Sequence, residues 1–98
     1  MIKKYDRLPK ELFAVLFDGS RSSVDDAYEL IGSMFVNSKD YIEEPKRFYE
    51  FAKANGLQLK VGNSYRVVPV GFYITRDDSG DVRIYERSEF ENDFKMRE

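Results

Sequence analysis

The period of the hydrophobic positions changes several times along the chain, and each change marks an element. Residues 11–17 (ELFAVLF) form an apolar run between Pro9 and Asp18-Gly19-Ser20, a length that suits a strand. Phe13, Val15 and Phe17 share one face and Leu12, Ala14 and Leu16 the other, so the strand is expected to be central and covered on both sides. Gly19-Ser20-Arg21-Ser22-Ser23 then leads into Val24-Asp25-Asp26, where Ser22 or Ser23 is expected to cap a helix with two carboxylates in its first turn. Val24, Ala27, Tyr28, Ile31 and Met34 form one stripe that would lie on the sheet, with the helix ending near Gly32 to Phe35.

Asn37 to Glu44 is polar and aperiodic, which predicts a loop. Pro45 suits a first helical position and Asn55-Gly56 a helix stop, predicting a second helix. Its buried side would be Phe48, Phe51 and Ala52, and its wet side Lys46, Arg47, Glu50 and Lys53. From Leu57 the period becomes two. Leu57, Leu59 and Val61 alternate with Gln58 and Lys60, Gly62-Asn63 reads as a tight turn, and Ser64 to Val68 returns before Pro69 ends the strand or leaves it at an edge.

A second hairpin joins Phe72–Arg76 to Val82–Arg87 through Asp77-Asp78-Ser79-Gly80-Asp81. With Gly80 left-handed, Ile74 opposes Ile84 and Tyr73 opposes Tyr85. Phe72, Ile74, Val82 and Ile84 then face inward, and Tyr73, Thr75, Arg83 and Tyr85 outward. Ser88-Glu89-Phe90-Glu91 reads as a capping box opening a short C-terminal helix, with Phe90 and Phe94 one turn apart. Together these elements predict an α+β fold: one domain over residues 1–98, a mostly antiparallel sheet of three to five strands, two helices packed on it and a short C-terminal helix.

Composition narrows the chemistry. The 98 residues hold no Cys and no His, which excludes disulfides, thiolate nucleophiles, Cys/His zinc sites and a Ser-His-Asp triad, so the expectation is a protein without enzymatic activity or cofactor. Sixteen basic against eighteen acidic residues give a net charge of -2, which argues against nucleic acid and anionic membranes as partners. The opening Met1-Ile2-Lys3-Lys4 lacks the apolar core of a signal peptide and no run approaches membrane-spanning length, so the expected place is the cytoplasm. Aromatic residues make up 15% of the chain. Face assignment divides them into inner phenylalanines (Phe13, Phe17, Phe48, Phe51, Phe72, Phe90, Phe94) and the outer tyrosines Tyr65, Tyr73 and Tyr85.

Both ends of the chain carry a further pattern. Lys4-Tyr5-Asp6-Arg7-Leu8-Pro9 precedes Leu12-Phe13-Ala14-Val15-Leu16-Phe17-Asp18-Gly19, and Pro69-Val70-Gly71-Phe72-Tyr73-Ile74 precedes Gly80-Asp81, Ile84-Tyr85 and Phe90 with Phe94. This resembles a family of short proteins from tailed-phage and prophage genomes. Those open with a basic Tyr segment, a Pro, a V-x-A-I-Q-F-type strand, a Gly turn and a helix, and close with P-G-D-Y-I, a G-E turn and F-x-x-x-Y. The chain departs from that pattern in the spacing of Pro69 from Gly71, in Phe72 where Asp is usual, and in an apparent insertion from Lys39 to Gly56. The resemblance implies a phage origin and a small α+β fold without implying a reaction. It makes a host protein in the bacterial cytoplasm the expected partner, bound so as to modulate or inhibit transcription, replication or defence.

Four groups of residues are candidate sites. Tyr65, Arg66, Tyr73, Arg83, Tyr85 and Arg87 would form an aromatic and basic sheet face of the kind enriched in protein interfaces; a homodimer and, third in order, single-stranded nucleic acid are other occupants. Ser20, Arg21, Ser22 and Ser23 at a helix start could hold an anion, giving a small-ligand or nucleotide binder as the alternative function. Asp77, Asp78 and Asp81 resemble a cation cluster, but they are also ordinary hairpin-loop residues and lack calcium-loop spacing, so no metal is expected. Glu86, Glu89, Glu91 and Asp93 are paired carboxylates expected to stay ionised and solvated.

Overall fold

A computed structural model describes residues 2–7, 10–93 and 95–96, with the backbone alone at 5–7, 10–11, 93 and 95–96. Two strands, β1 (Lys3–Arg7) and β2 (Lys10–Phe17), lead into helix α1 (Arg21–Ile31) and a 3-10 turn over Gly32–Met34. Helices α2 (Ser38–Glu43) and α3 (Pro45–Asn55) precede the hairpin β3 (Leu57–Val61) and β4 (Ser64–Val68). A second hairpin, β5 (Phe72–Asp77) and β6 (Val82–Glu86), runs into α4 (Arg87–Asp93) and the short β7 (Lys95–Met96).

The fold is α+β. Among the described residues, one sheet has the order β6-β5-β2-β1-β7, antiparallel throughout, and β3-β4 form a separate two-stranded sheet. β2 lies between β5 and β1, and both of its apolar faces are covered except at Phe13, largely as its two-sided pattern predicts. On one side Val15 and Phe17 pack with Val24, Ala27, Leu30 and Ile31 of α1 and with Ile74. That cluster continues through Ala52, Leu57, Leu59 and Val68, so α3 and the β3–β4 hairpin complete the same core. On the other side Leu12 and Ala14 pack with Tyr73 and Phe90, which seats α4 on the sheet.

The hairpin register follows from the sequence: Ile74 pairs with Ile84 and Tyr73 with Tyr85, and Gly80 takes the left-handed conformation at φ 88°. Asp77 fixes the loop by accepting from the Ser79 N–H (3.0 Å), the Ser79 hydroxyl (2.7 Å) and the Asp81 N–H (2.9 Å). Those bonds account for the acidic loop as turn chemistry. Among the described residues no group of three or more potential metal ligands is found.

Several expectations are corrected. The helix cap is Ser20, whose hydroxyl accepts from the Ser23 N–H at 3.1 Å, so α1 starts earlier than expected and no carboxylate lies in its first turn. Asp18 sets that start by accepting from the Ser20 N–H at 2.9 Å. Residues 38–43, expected in a loop, form α2, where Tyr41 anchors a segment that is polar apart from the exposed Ile42 by stacking on Tyr28 at 4.2 Å. β1, Lys-Lys-Tyr-Asp-Arg, has no alternation to mark it as a strand; it exists through pairing with β2. No capping box opens α4. Its first residue is Arg87, the Ser88 hydroxyl donates back to Glu86, and Glu91 is engaged by Tyr73 and Arg87. Phe94 lies outside the described residues.

Candidate functional site

The six residues expected to share an outer face do not share one. α4 covers that face of β5 and β6: Tyr73 is 7% exposed, stacks on Phe90 with ring centroids 4.2 Å apart and donates its hydroxyl to Glu91 at 3.0 Å. Thr75 is buried beside it and donates to the Arg83 carbonyl. Tyr85 is half-buried against Phe90 at 5.9 Å, and Arg87 pairs with Glu91 at 3.4 Å. Arg83 stays exposed and pairs with Asp81 at 3.1 Å.

Tyr65 and Arg66 belong to the other sheet. As neighbours on β4 they point to opposite faces. Arg66 reaches a groove of about 410 Å³ along β6, beside Arg83, Tyr85 and Glu89. Tyr65 points away from it, with the Lys60 ammonium 5.6 Å from its ring.

At the helix start, Ser20, Ser22 and Ser23 bond to one another, and Asp18, Ser22 and Ser23 line a cavity of about 320 Å³. Ser20 and Ser22 hydroxyls share a hydrogen bond at 3.1 Å, and the Ser23 hydroxyl donates to the Ser20 carbonyl at 2.8 Å. Hydrogen bonds from the Ser20 hydroxyl and N–H hold the Asp18 carboxyl below its usual range. Arg21 lies over the Tyr49 ring at 5.3 Å. Among the carboxylates on α4, Glu89 and Glu91 are exposed, and the side chain of Asp93 is outside the described residues.

The aromatic residues divide differently from the expected phenylalanine core and tyrosine surface. Tyr28, Phe35, Tyr41, Phe48 and Tyr49 form one cluster between α1, α2 and α3, with centroid separations of 4.2–6.2 Å. The Asp25 carboxylate accepts from the Tyr41 hydroxyl at 2.7 Å and the Tyr49 hydroxyl at 2.6 Å. Burial, followed by the Asp25 hydrogen bond, pushes the Tyr41 phenol upward; for Tyr49 the Asp25 hydrogen bond is the larger cause. Conversely, Phe13 and Phe51 are exposed at 41% and 49%.

Phe51 leads to the surface that sequence reasoning missed. It lines a cleft of about 140 Å³ with Val36, Phe48, Ala52 and Leu57, bordered by Asp40, Arg47 and Gln58. Gly56 forms its floor, and Val67 lies over Gly56 so closely that a methyl group added there would meet Val67 Cγ1 at 2.7 Å. Val67 pairs with Gln58, and Tyr65 follows on the same face opposite Lys60. Phe51, Val67 and Tyr65 thus continue the apolar cleft onto the open face of the hairpin, with Val67 and Tyr65 at 52% and 72% exposure. The sequence held one signal for this face: Tyr65 and Val67 stand at alternate positions opposite polar residues, where a solvent-facing strand normally carries polar ones.

Comparison with protein-family models, curated proteins and solved structures found no match. Among the described residues no helix is long and apolar enough to cross a membrane.

Proposed function

We propose that this chain is a non-catalytic accessory protein that acts by binding another protein stoichiometrically, through the surface formed by the α3 cleft and the open face of the β3–β4 hairpin. The observation that carries this reading is the continuity of exposed Phe51, Val67 and Tyr65 with the apolar cleft. Contiguous apolar surface rimmed by polar residues marks interaction sites, and an aromatic anchor beside a pocket is the usual centre of binding energy. Lys60 beside Tyr65 suits a partner presenting an apolar side chain flanked by a carboxylate, while Arg47 at the cleft lip pairs with Glu44 at 3.3 Å. The resemblance of the chain ends to short phage proteins makes a host protein in the bacterial cytoplasm the proposed partner, held in a modulating or inhibitory complex.

The test is retention from host lysate by the tagged protein, run in parallel with Phe51→Ser and Tyr65→Ser. A host protein retained by the native chain in a one-to-one complex and lost with both variants supports the proposal. Equal retention by all three chains overturns the assignment of this surface.

A further inference from the structure

Among the described residues β6 is one of the two end strands of the five-stranded order, and its outer edge borders the groove lined by Arg66, Arg83, Tyr85 and Glu89. The backbone of β5–β6 determines which of its groups face that groove. The Asp77 N–H donates to the Asp81 carbonyl at 3.0 Å, and the paired residues run without a bulge from there to Phe72 and Glu86. In an antiparallel ladder hydrogen-bonded and non-bonded pairs alternate. Thr75–Arg83 and Tyr73–Tyr85 are therefore the bonded pairs, which is consistent with the Arg83 carbonyl also accepting from the Thr75 hydroxyl. The N–H and C=O groups of Val82, Ile84 and Glu86 consequently point outward.

We propose that this edge pairs with β6 of a second copy, antiparallel about a two-fold axis at Ile84. A five-residue edge centred on its own middle residue is self-complementary, as a two-fold contact requires. In this register Ile84 meets Ile84, and Val82 meets Glu86 of the second copy, so all three outward residues find bonded partners. Between them Arg83 stands opposite Tyr85 of the second copy, a cation beside an aromatic ring. The neighbouring registers are unfavourable. Centring on Arg83 sets two arginines face to face, where like charges destabilise a pair, and centring on Tyr85 leaves Val82 and Arg83 without strand partners, because Arg87 already begins α4. Such an edge is small beside the roughly 1,600 Å² of a standard interface, so the dimer forms with a weak, concentration-dependent equilibrium. It uses a different surface from the partner site proposed above and stands independently of it.

Sedimentation equilibrium of the full chain, from micromolar to millimolar, reads the association, and residue-resolved amide hydrogen exchange locates it. The expected result is a monomer–dimer equilibrium in which the Val82, Ile84 and Glu86 amides exchange about tenfold more slowly at high concentration. The Tyr65 and Val67 amides keep their rates. Arg83→Glu, an exposed substitution, is expected to raise the dissociation constant about tenfold by replacing two favourable cross-strand pairs. A chain that stays monomeric at millimolar concentration, protection that grows elsewhere, or an Arg83→Glu chain that dimerises as the native one does would each overturn the proposal.

Discussion

Asp25 is an exposed carboxylate that two tyrosine hydroxyls share, and it ties α1 to α2 and α3. Replacing it with Ala leaves both hydroxyls without their charged acceptor, and an expected loss of about 1–2 kcal/mol should appear in urea unfolding. The same contacts fix a pH dependence. Folding raises both phenol pKa values, so above the ordinary phenol value near 10 the unfolded chain releases protons that the folded chain retains. Stability is then level below about pH 10 and falls above it. Asp25→Asn should flatten the part due to Tyr49, whose shift comes first from this carboxylate, and leave most of the part due to Tyr41, which comes first from burial. Unfolding curves of Tyr49→Phe and Tyr41→Phe across that range separate the two; a fall in stability beginning well below pH 9 would contradict this account. Gly56 makes a second prediction at this scale. Its φ is 87°, and an added methyl group would meet Val67 Cγ1 at 2.7 Å and the Val68 carbonyl at 2.9 Å, so Gly56→Ala should cost about 1–3 kcal/mol in the same measurement.

Elements whose formation rests on local periodicity were legible in the sequence, and those that rest on distant contacts were not. α3 between Pro45 and Asn55 and both hairpins with their registers follow from turn residues and alternation that act within a few positions. β1 and α2 carry no periodicity of their own, and β2 and Tyr28 respectively determine them. α4 was legible as a helix but not in its position, because nothing in a seven-residue segment says which sheet face it will cover. That one placement removed Tyr73 from the candidate surface, and the exposure of Phe51 was hidden because Phe51 lies on the helix side that its spacing marked as buried. Phe90 makes the role of α4 measurable: it is fully buried between Tyr73 and Tyr85, and Phe90→Ala should cost about 3–5 kcal/mol. Loss of near-ultraviolet circular dichroism from the tyrosines should accompany it. A cost below 1 kcal/mol would mean that α4 contributes little to holding the sheet.

At the scale of the whole molecule, 35% of residues are charged, yet the net charge is only -2. On the proposed reading, long-range attraction would therefore do little to select a partner, and selection would fall to short-range shape and apolar contact. The exposed cluster of Phe51, Val67 and Tyr65 lies off the two buried clusters that hold the fold, so stability and binding should separate on substitution. Phe51→Ser and Tyr65→Ser are each expected to change unfolding free energy by no more than about 1 kcal/mol, as exposed positions do. In the complex, the same changes should weaken affinity by at least about tenfold, the effect of losing an interface anchor. Salt sharpens the distinction. Apolar docking predicts an affinity that changes little as ionic strength rises, whereas binding to nucleic acid would weaken by orders of magnitude over the same range. Calorimetric titration at low and high salt, on native chain and variants alike, measures both quantities, and a steep salt dependence or an affinity indifferent to Phe51 and Tyr65 would remove the protein-binding assignment from this face.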